Sequence, residues 1–206
     1  MSDPNSWDPR KTALLTIDLQ NDFIHPDGAY GRAGQSAASI AALPERIAPL
    51  ARRLQAAGGR YFSAQFTLVP DRNGEPLIAP HLKALRPFLT KGDFAPGKFG
   101  HQLVDTLQPC DFVIEKVAYS AFYQTRLEYL MRAVGIKNLI VGGIVTNGGV
   151  ASTLRDAHLR NIETVMLTDG CAAFKSEVHE ATILSLATVT HQKTCEEILQ
   201  WLEGAA

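Results

Sequence analysis

Asn138-Leu139-Ile140-Val141-Gly142-Gly143-Ile144-Val145-Thr146-Asn147-Gly148-Gly149-Val150-Ala151-Ser152-Thr153 runs from an unbroken apolar stretch through a glycine-rich turn into a segment able to start a helix. An apolar run without alternation suits a strand buried on both faces, and such strands belong to parallel sheets covered by helices. A tight strand-to-helix elbow exposes whatever side chain it carries above the sheet, with the first backbone N–H groups of the helix available to an oxyanion. At Gly149 this elbow has no side chain to react.

Other apolar runs of strand length lie at 13–18, 60–66, 111–116 and 163–168, separated by longer amphipathic stretches. That alternation predicts an α/β chain, a three-layer α/β/α, Rossmann-like open parallel sheet with helices on both faces. Helices are expected over 36–57, stopped by Gly58-Gly59, over 125–134, stopped by Gly135, and over 148–160, 177–189 and 194–203. The segment 67–100 holds Pro70, Pro76, Pro80, Pro87 and Pro96, so it reads as loop with a short helix near 81–85. A loop of that length inside a compact domain is usually functional, here a lid or one wall of a pocket. With 206 residues and 46% hydrophobic content, a single domain spanning 1–206 is the expectation.

A formal net charge of −1 gives no field that would draw nucleic acid or an anionic membrane, and no apolar run reaches the ~18–20 residues of a spanning helix. The three cysteines, Cys110, Cys171 and Cys195, are widely separated without CxxC spacing, which points away from disulfides and structural zinc. Residues 1–11 are polar and carry no signal-like apolar core. A soluble, cytoplasmic, unprocessed protein is therefore expected.

In open α/β sheets ligands bind beyond the carboxyl ends of the strands. Here those positions are Asp18, Gln65, Lys116, 145–149 and 169–171. Asp18 follows Ala13-Leu14-Leu15-Thr16-Ile17, with Phe23 nearby. Partial burial would raise its pKa and suit it to proton transfer, whereas a turn aspartate after a strand is the plainer alternative. Lys116 closes Phe112-Val113-Ile114-Glu115; it either reaches the surface by its stem or stays buried with a partner, for which Asp18 is the natural choice.

The blocks Leu14-Leu15-Thr16-Ile17-Asp18-Leu19-Gln20-Asn21-Asp22-Phe23, Lys116-Val117-Ala118-Tyr119-Ser120-Ala121-Phe122, 143–150 and Asp156-Ala157 resemble, in order and spacing, the signatures of the isochorismatase-like (cysteine hydrolase) superfamily. In its cysteine members an aspartate, a lysine and a cysteine form a catalytic triad. The resemblance carries the first two roles to Asp18 and Lys116, and the third falls on Gly149. True isochorismatases also have glycine there and hydrolyse a vinyl ether, the aspartate acting as acid. Gln65 and the Tyr119 block are similar to that subgroup, but Val145 stands where it typically has tyrosine and Val117-Ala118 where it has Trp-Arg. Recognition of a dicarboxylate then needs another cation, and Arg72 and Arg86 of the proline-rich loop are the candidates.

The resemblance further implies a cis peptide between Val145 and Thr146, with the Thr146 and Gly149 N–H groups facing the site. It implies no cofactor: the aspartate-histidine cluster of the zinc-dependent members has no counterpart in Gln65-Phe66-Thr67-Leu68-Val69-Pro70. Cys171 is weighed as a relocated nucleophile but reads as packing, like Cys110 and Cys195, and His25 reads as a surface residue.

The leading expectation is a cofactor-free hydrolase of a small molecule using Asp18 and Lys116, with vinyl ether hydrolysis as its reaction. The alternatives are a C–N hydrolase lineage, acting on amide or carbamoyl compounds, whose cysteine nucleophile is lost or altered, and a non-catalytic binding protein. Phe23, Gln65, Tyr119, Val145, Thr146 and Arg72 form the expected substrate-binding set. The resemblance also implies a homodimer or homotetramer, with Phe88, Phe94 and Phe99 as candidate interface anchors.

Overall fold

The computed structural model describes residues 2–204. Its sheet has six strands in the order β3-β2-β1-β4-β5-β6. These are β1 Thr12–Ile17, β2 Arg60–Phe66, β3 Phe112–Lys116, β4 Asn138–Ile144, β5 Glu163–Ala172 and β6 His191–Lys193. Every pairing is parallel. The helices are α1 Asn21–Ile24, α2 Ala29–Arg32, α3 Ala38–Ala41, α4 Leu43–Ala56, α5 Pro80–Leu85, α6 Leu127–Ala133, α7 Ala151–Leu159, α8 Ser176–Leu186 and α9 Cys195–Gly204. None of the described helices is long and apolar enough to cross a membrane.

Strand β1 is buried along its whole length because a helical layer covers each face. On one face Leu14 and Ile140 pack with Ile47, Leu50 and Leu54 of α4 and Ile198 and Leu202 of α9. On the other, Leu15, Ile17 and Val141 pack with Leu127 and Met131 of α6 and Leu154 of α7. The close approach of β1 and β4 requires Gly143, where φ is +120° and an added Cβ would sit 2.2 Å from the Ile17 carbonyl oxygen. No L side chain fits there.

The expected helix over 36–57 is split into α3 and α4, with Pro44 in the first turn of α4, where a proline's missing N–H costs nothing. Strand β5 is longer than the apolar run suggested, and its register shifts against β4 between Val141 and Gly143, so Asp169, Gly170 and Cys171 lie inside the strand. Strand β6 is polar His191-Gln192-Lys193 at the sheet edge and carries no apolar signal.

The proline-rich segment contains α5 near its expected place. Phe94, expected as an interface anchor, is instead fully buried in a small core of its own with Ala29, Tyr30, Leu68 and Leu89, and Phe23, Phe66 and Phe88 pack against that core. Its aromatic ring therefore fixes the loop to the sheet, while Phe99 remains exposed.

The strand order reverses between β1 and β4, and each of these strands ends at the same edge. Ile17 pairs with Ala64 on one side and Gly143 on the other, and Phe66 pairs with Lys116. This register alone sets Asp18, Lys116 and the 145–149 elbow side by side at the switch point, where α/β sheets bind their ligands.

Candidate active site

Asp18 leaves β1 with φ +59°, a left-handed conformation that aspartate tolerates better than most residues, and its N–H donates to the Ala64 carbonyl at 2.9 Å. That bend turns its carboxylate across the strand ends. Oδ2 accepts from Lys116 Nζ at 2.8 Å, and Oδ1 accepts from the Phe66 N–H at 3.0 Å, which it shares with Gln20 Oε1 at 2.7 Å. Lys116 Nζ also donates to the Ala118 carbonyl at 3.2 Å and lies 5.7 Å from the centre of the Phe66 ring.

Only 1% of the lysine side chain and 9% of the aspartate side chain are exposed, so this is a buried ion pair. Burial pushes the Asp18 carboxyl above the usual carboxylate range, against the opposing pull of Lys116 and the Phe66 N–H. Desolvation therefore outweighs the pairing.

Between β4 and α7 the chain makes a wide turn over Thr146–Val150. The non-proline cis bond is Ile144–Val145, one residue before the expected Val145–Thr146. Thr153 Oγ donates to the Gly149 carbonyl at 2.7 Å and accepts from the Ala121 N–H at 3.0 Å, tying the elbow to the loop after β3. A Cβ built on Gly149 lies 3.3 Å from Asp18 Oδ2, so the top of the elbow faces the carboxylate. The same Cβ would approach Ile17 Cγ2 to 2.8 Å and the Ile144 carbonyl oxygen to 3.1 Å. The surroundings are thus closed tightly around glycine.

Asp18 and Lys116 open into a cavity of about 250 Å³ lined also by Phe23, Phe66, His81, Arg86 and Tyr119. That volume lies below the range of ~300–1,000 Å³ typical of drug-sized ligands. A second cavity of about 360 Å³ shares Arg86 and adds Tyr30, Val145, Asn147, Phe174 and Lys175.

Of the expected binding set, Phe23 and Tyr119 line the first cavity and Val145 the second. Three residues line neither. The Gln65 amide lies between the His101 carbonyl and the Leu103 N–H, 3.3 Å from each, on the opposite face of β2 from its neighbour Phe66. Thr146 is fully buried, with its hydroxyl 2.8 Å from His179 Nδ1. Arg72 is exposed on a turn organised by Asp71, whose Oδ1 accepts from the Asn73 and Glu75 N–H groups at 2.7 and 2.9 Å.

Phe66 was legible through strand periodicity, because residues 62, 64 and 66 share a face and 65 does not. Arg86 was legible only as one of the two cations expected of the proline-rich loop. His25 stacks edge-on to Phe99, ring centres 5.0 Å apart, and lines neither cavity.

Cys171 is no nucleophile by its surroundings: its thiol is buried, points at the Val141 carbonyl at 3.8 Å, and is pushed far up in pKa by burial. Burial also pushes Cys195 up to about 12. Among the described residues no group of three His, Cys, Asp or Glu side chains is placed to hold a metal ion.

Residues 12–197 match the isochorismatase domain family. Over 178 residues the chain is 34% identical to the ureidoacrylate amidohydrolase RutB of Methylorubrum extorquens, covering 81% of this chain and 72% of that one. It is likewise 34% identical over 192 residues to the enzyme of that name from Acinetobacter baylyi, covering 87% and 78%. Among solved structures, a cysteine hydrolase from Pseudomonas syringae pv. phaseolicola superposes over 100% of each chain with a TM-score of 0.82 at 24% identity. The N-carbamoylsarcosine amidase of Thermoplasma acidophilum has the same fold, with a TM-score of 0.71 at 23% identity over 90% of this chain and 96% of that one.

Proposed function

The chain belongs to the isochorismatase family of hydrolases, and on that premise we propose that it cleaves the C–N bond of a small amide or ureido compound with water as nucleophile. The observation that carries this reading is the opening of the buried Asp18–Lys116 pair into a cavity of about 250 Å³. A water in that cavity lies within hydrogen-bond reach of a carboxylate whose pKa burial has raised. The similarity to amidohydrolases at 34% identity supports the bond class, which makes the C–N alternative a better reading than the vinyl ether one.

In the proposed reaction the Asp18 carboxylate takes a proton from water as the water oxygen adds to the carbonyl carbon. Lys116, 2.8 Å from Oδ2, holds the carboxylate in place and offsets its charge. The oxyanion that forms is served by backbone N–H groups at the start of the turn after β4, other than those of Gly148 and Val150, which donate to the Val145 carbonyl. Asp18, now a carboxylic acid, returns the proton to the leaving nitrogen as the C–N bond breaks. The products are an acid and an amine or ammonia.

A second reading has one specific support: the same raised pKa leaves Asp18 able to act as an acid, protonating the carbon of an enol ether before water captures the oxocarbenium ion. The test is incubation of the purified protein with ureidoacrylate, N-carbamoyl amino acids, simple carboxamides and isochorismate, following ammonia release and substrate absorbance. Ammonia release abolished by Asp18→Asn is the expected outcome. Turnover of isochorismate alone would establish the second reading, and binding of any of these without turnover would make the chain a binding protein.

A further inference from the structure

Strand β1 bends away at Asp18, so its ladder with β2 ends on the bond from the Asp18 N–H to the Ala64 carbonyl. Had the parallel ladder continued, the Phe66 N–H would donate to the Asp18 carbonyl. It meets two side chains instead: Gln20 Oε1 accepts it at 2.7 Å and Asp18 Oδ1 at 3.0 Å. The orientation of the Gln20 amide is fixed, because Nε2 donates to two carbonyl oxygens, that of Phe66 at 3.0 Å and that of His101 at 2.9 Å. Gln20 is fully buried, and its amide depends on these partners. One side chain thus grips both backbone groups of Phe66 and competes with Asp18 for one of them.

A backbone N–H that donates fully to a carboxylate stabilises its ionised form and weakens it as a base. Such charge-assisted bonds are roughly twice as strong as neutral ones, so the acceptor that holds this donor decides how readily Asp18 takes a proton. Resting on the C–N hydrolase reading, we propose that Gln20 is a positioning residue: its amide oxygen holds the Phe66 N–H and leaves Asp18 Oδ1 only a share of that donor, free to bond water in the cavity. Gln20 thereby works in the same direction as burial. It also fixes the end of β2, where the Phe66 ring forms a cavity wall. The glutamine does not line the cavity; it acts through the Phe66 peptide.

Carbon-13 NMR of the full-length protein labelled at its aspartate carboxyls follows the Asp18 titration directly, its signal being the one absent from Asp18→Asn. Gln20→Met keeps the volume and drops the amide, so the Phe66 N–H turns wholly to Asp18 and the Asp18 midpoint should fall by about half a pH unit or more. In Gln20→Glu one oxygen still takes the Phe66 N–H, while the other meets the Phe66 and His101 carbonyls as a hydroxyl or as a charge. Either state leaves the midpoint at or above its original value. A role confined to packing would move both variants the same way. Lys116 of β3, His81 and Arg86 from α5 and its end, Tyr30 of α2 and Tyr119 after β3 also face Asp18. They are common to all three proteins, so the differences between the titrations belong to residue 20.

An unchanged or raised midpoint in Gln20→Met overturns the proposal, as does a fall in Gln20→Glu. Circular dichroism establishes that each variant is folded; were Gln20→Met unfolded, Gln20→Glu would still have to hold the midpoint at or above that of the unaltered protein. In the active enzyme the acid limb of kcat/KM must follow the midpoint downward in Gln20→Met, and a limb that stays behind also overturns the role. The titration itself needs no substrate, so the two readings fail separately. The expected fall in a protein that hydrolyses none of the amides sinks the C–N hydrolase reading and leaves Gln20 governing Asp18, whereas hydrolysis with an unmoved midpoint does the reverse.

Discussion

Replacing Gly149 tests whether the elbow is built for a side chain. A glycine in a helical conformation ordinarily gives up to ~1 kcal/mol of stability when it becomes alanine, since alanine has the higher helix propensity. Here the added Cβ would meet Ile17 Cγ2 at 2.8 Å, where carbon atoms prefer ~3.5–4.0 Å, so the methyl must retreat by ~0.7 Å or more. Ile17 is fully buried and β-branched, with restricted χ1, and cannot swing aside freely. Overpacking of this kind costs ~1–3 kcal/mol, more than the propensity gain, which leaves Gly149→Ala net destabilised by up to ~2 kcal/mol. For a chain of this length that lowers Tm by up to ~4–8 °C. Thermal unfolding followed by circular dichroism reads the shift, and a Tm that rises would falsify the packing argument. Gly149→Cys carries the same backbone cost, but its thiol stands near Lys116 and the start of α7, which favour the thiolate. Iodoacetamide should label it at neutral pH faster than an unstructured cysteine peptide; labelling no faster, in a variant that unfolds cooperatively, sinks the proposed environment.

The pH dependence separates the two chemistries. Because burial raises the Asp18 pKa, a base role requires kcat/KM to climb with pH through a value above the ordinary ~4 of an aspartate, whereas an acid role makes it fall through that same value. A rising acid limb is expected on amide substrates, and a falling one would transfer the assignment to acid catalysis. Replacing Cys110, Cys171 and Cys195 together with alanine should leave turnover within a few-fold; loss of turnover from Cys171→Ala in a folded protein would restore the relocated nucleophile. Lys116→Met strands a buried carboxylate and should cost ~3–5 kcal/mol in urea unfolding at neutral pH, much of it recovered in Lys116→Met with Asp18→Leu. If the double variant is as unstable as the sum of the singles, the two side chains do not act as a pair.

The sheet was legible because burial on both faces leaves its mark on every residue of a strand: 138–144 and 13–17 are apolar without alternation, and helices must follow. Strand β6 escaped notice since a polar edge strand has one neighbour and half-buried side chains. Residue chemistry pointed to a candidate site at the strand ends, yet it could not give side-chain direction. Gln65 and Phe66 show how little separates the two outcomes: one step along β2 reverses the face, so the amide meets the His101 and Leu103 backbone while the ring forms the cavity wall. Arg72 and Arg86 were equivalent in sequence, two cations in one proline-rich loop, and what separates them is Phe94. With Phe94 buried among Tyr30, Leu68 and Leu89, the second half of the loop is pinned down and α5 brings Arg86 over Asp18, leaving the first half in solvent. Phe94 and Phe88, expected as surface awaiting a partner, instead pack inward and hold α5 with Arg86 over the site. Phe94→Ala should therefore speed amide hydrogen exchange across 80–94, read by mass spectrometry, and unchanged exchange there would refute this role of the ring.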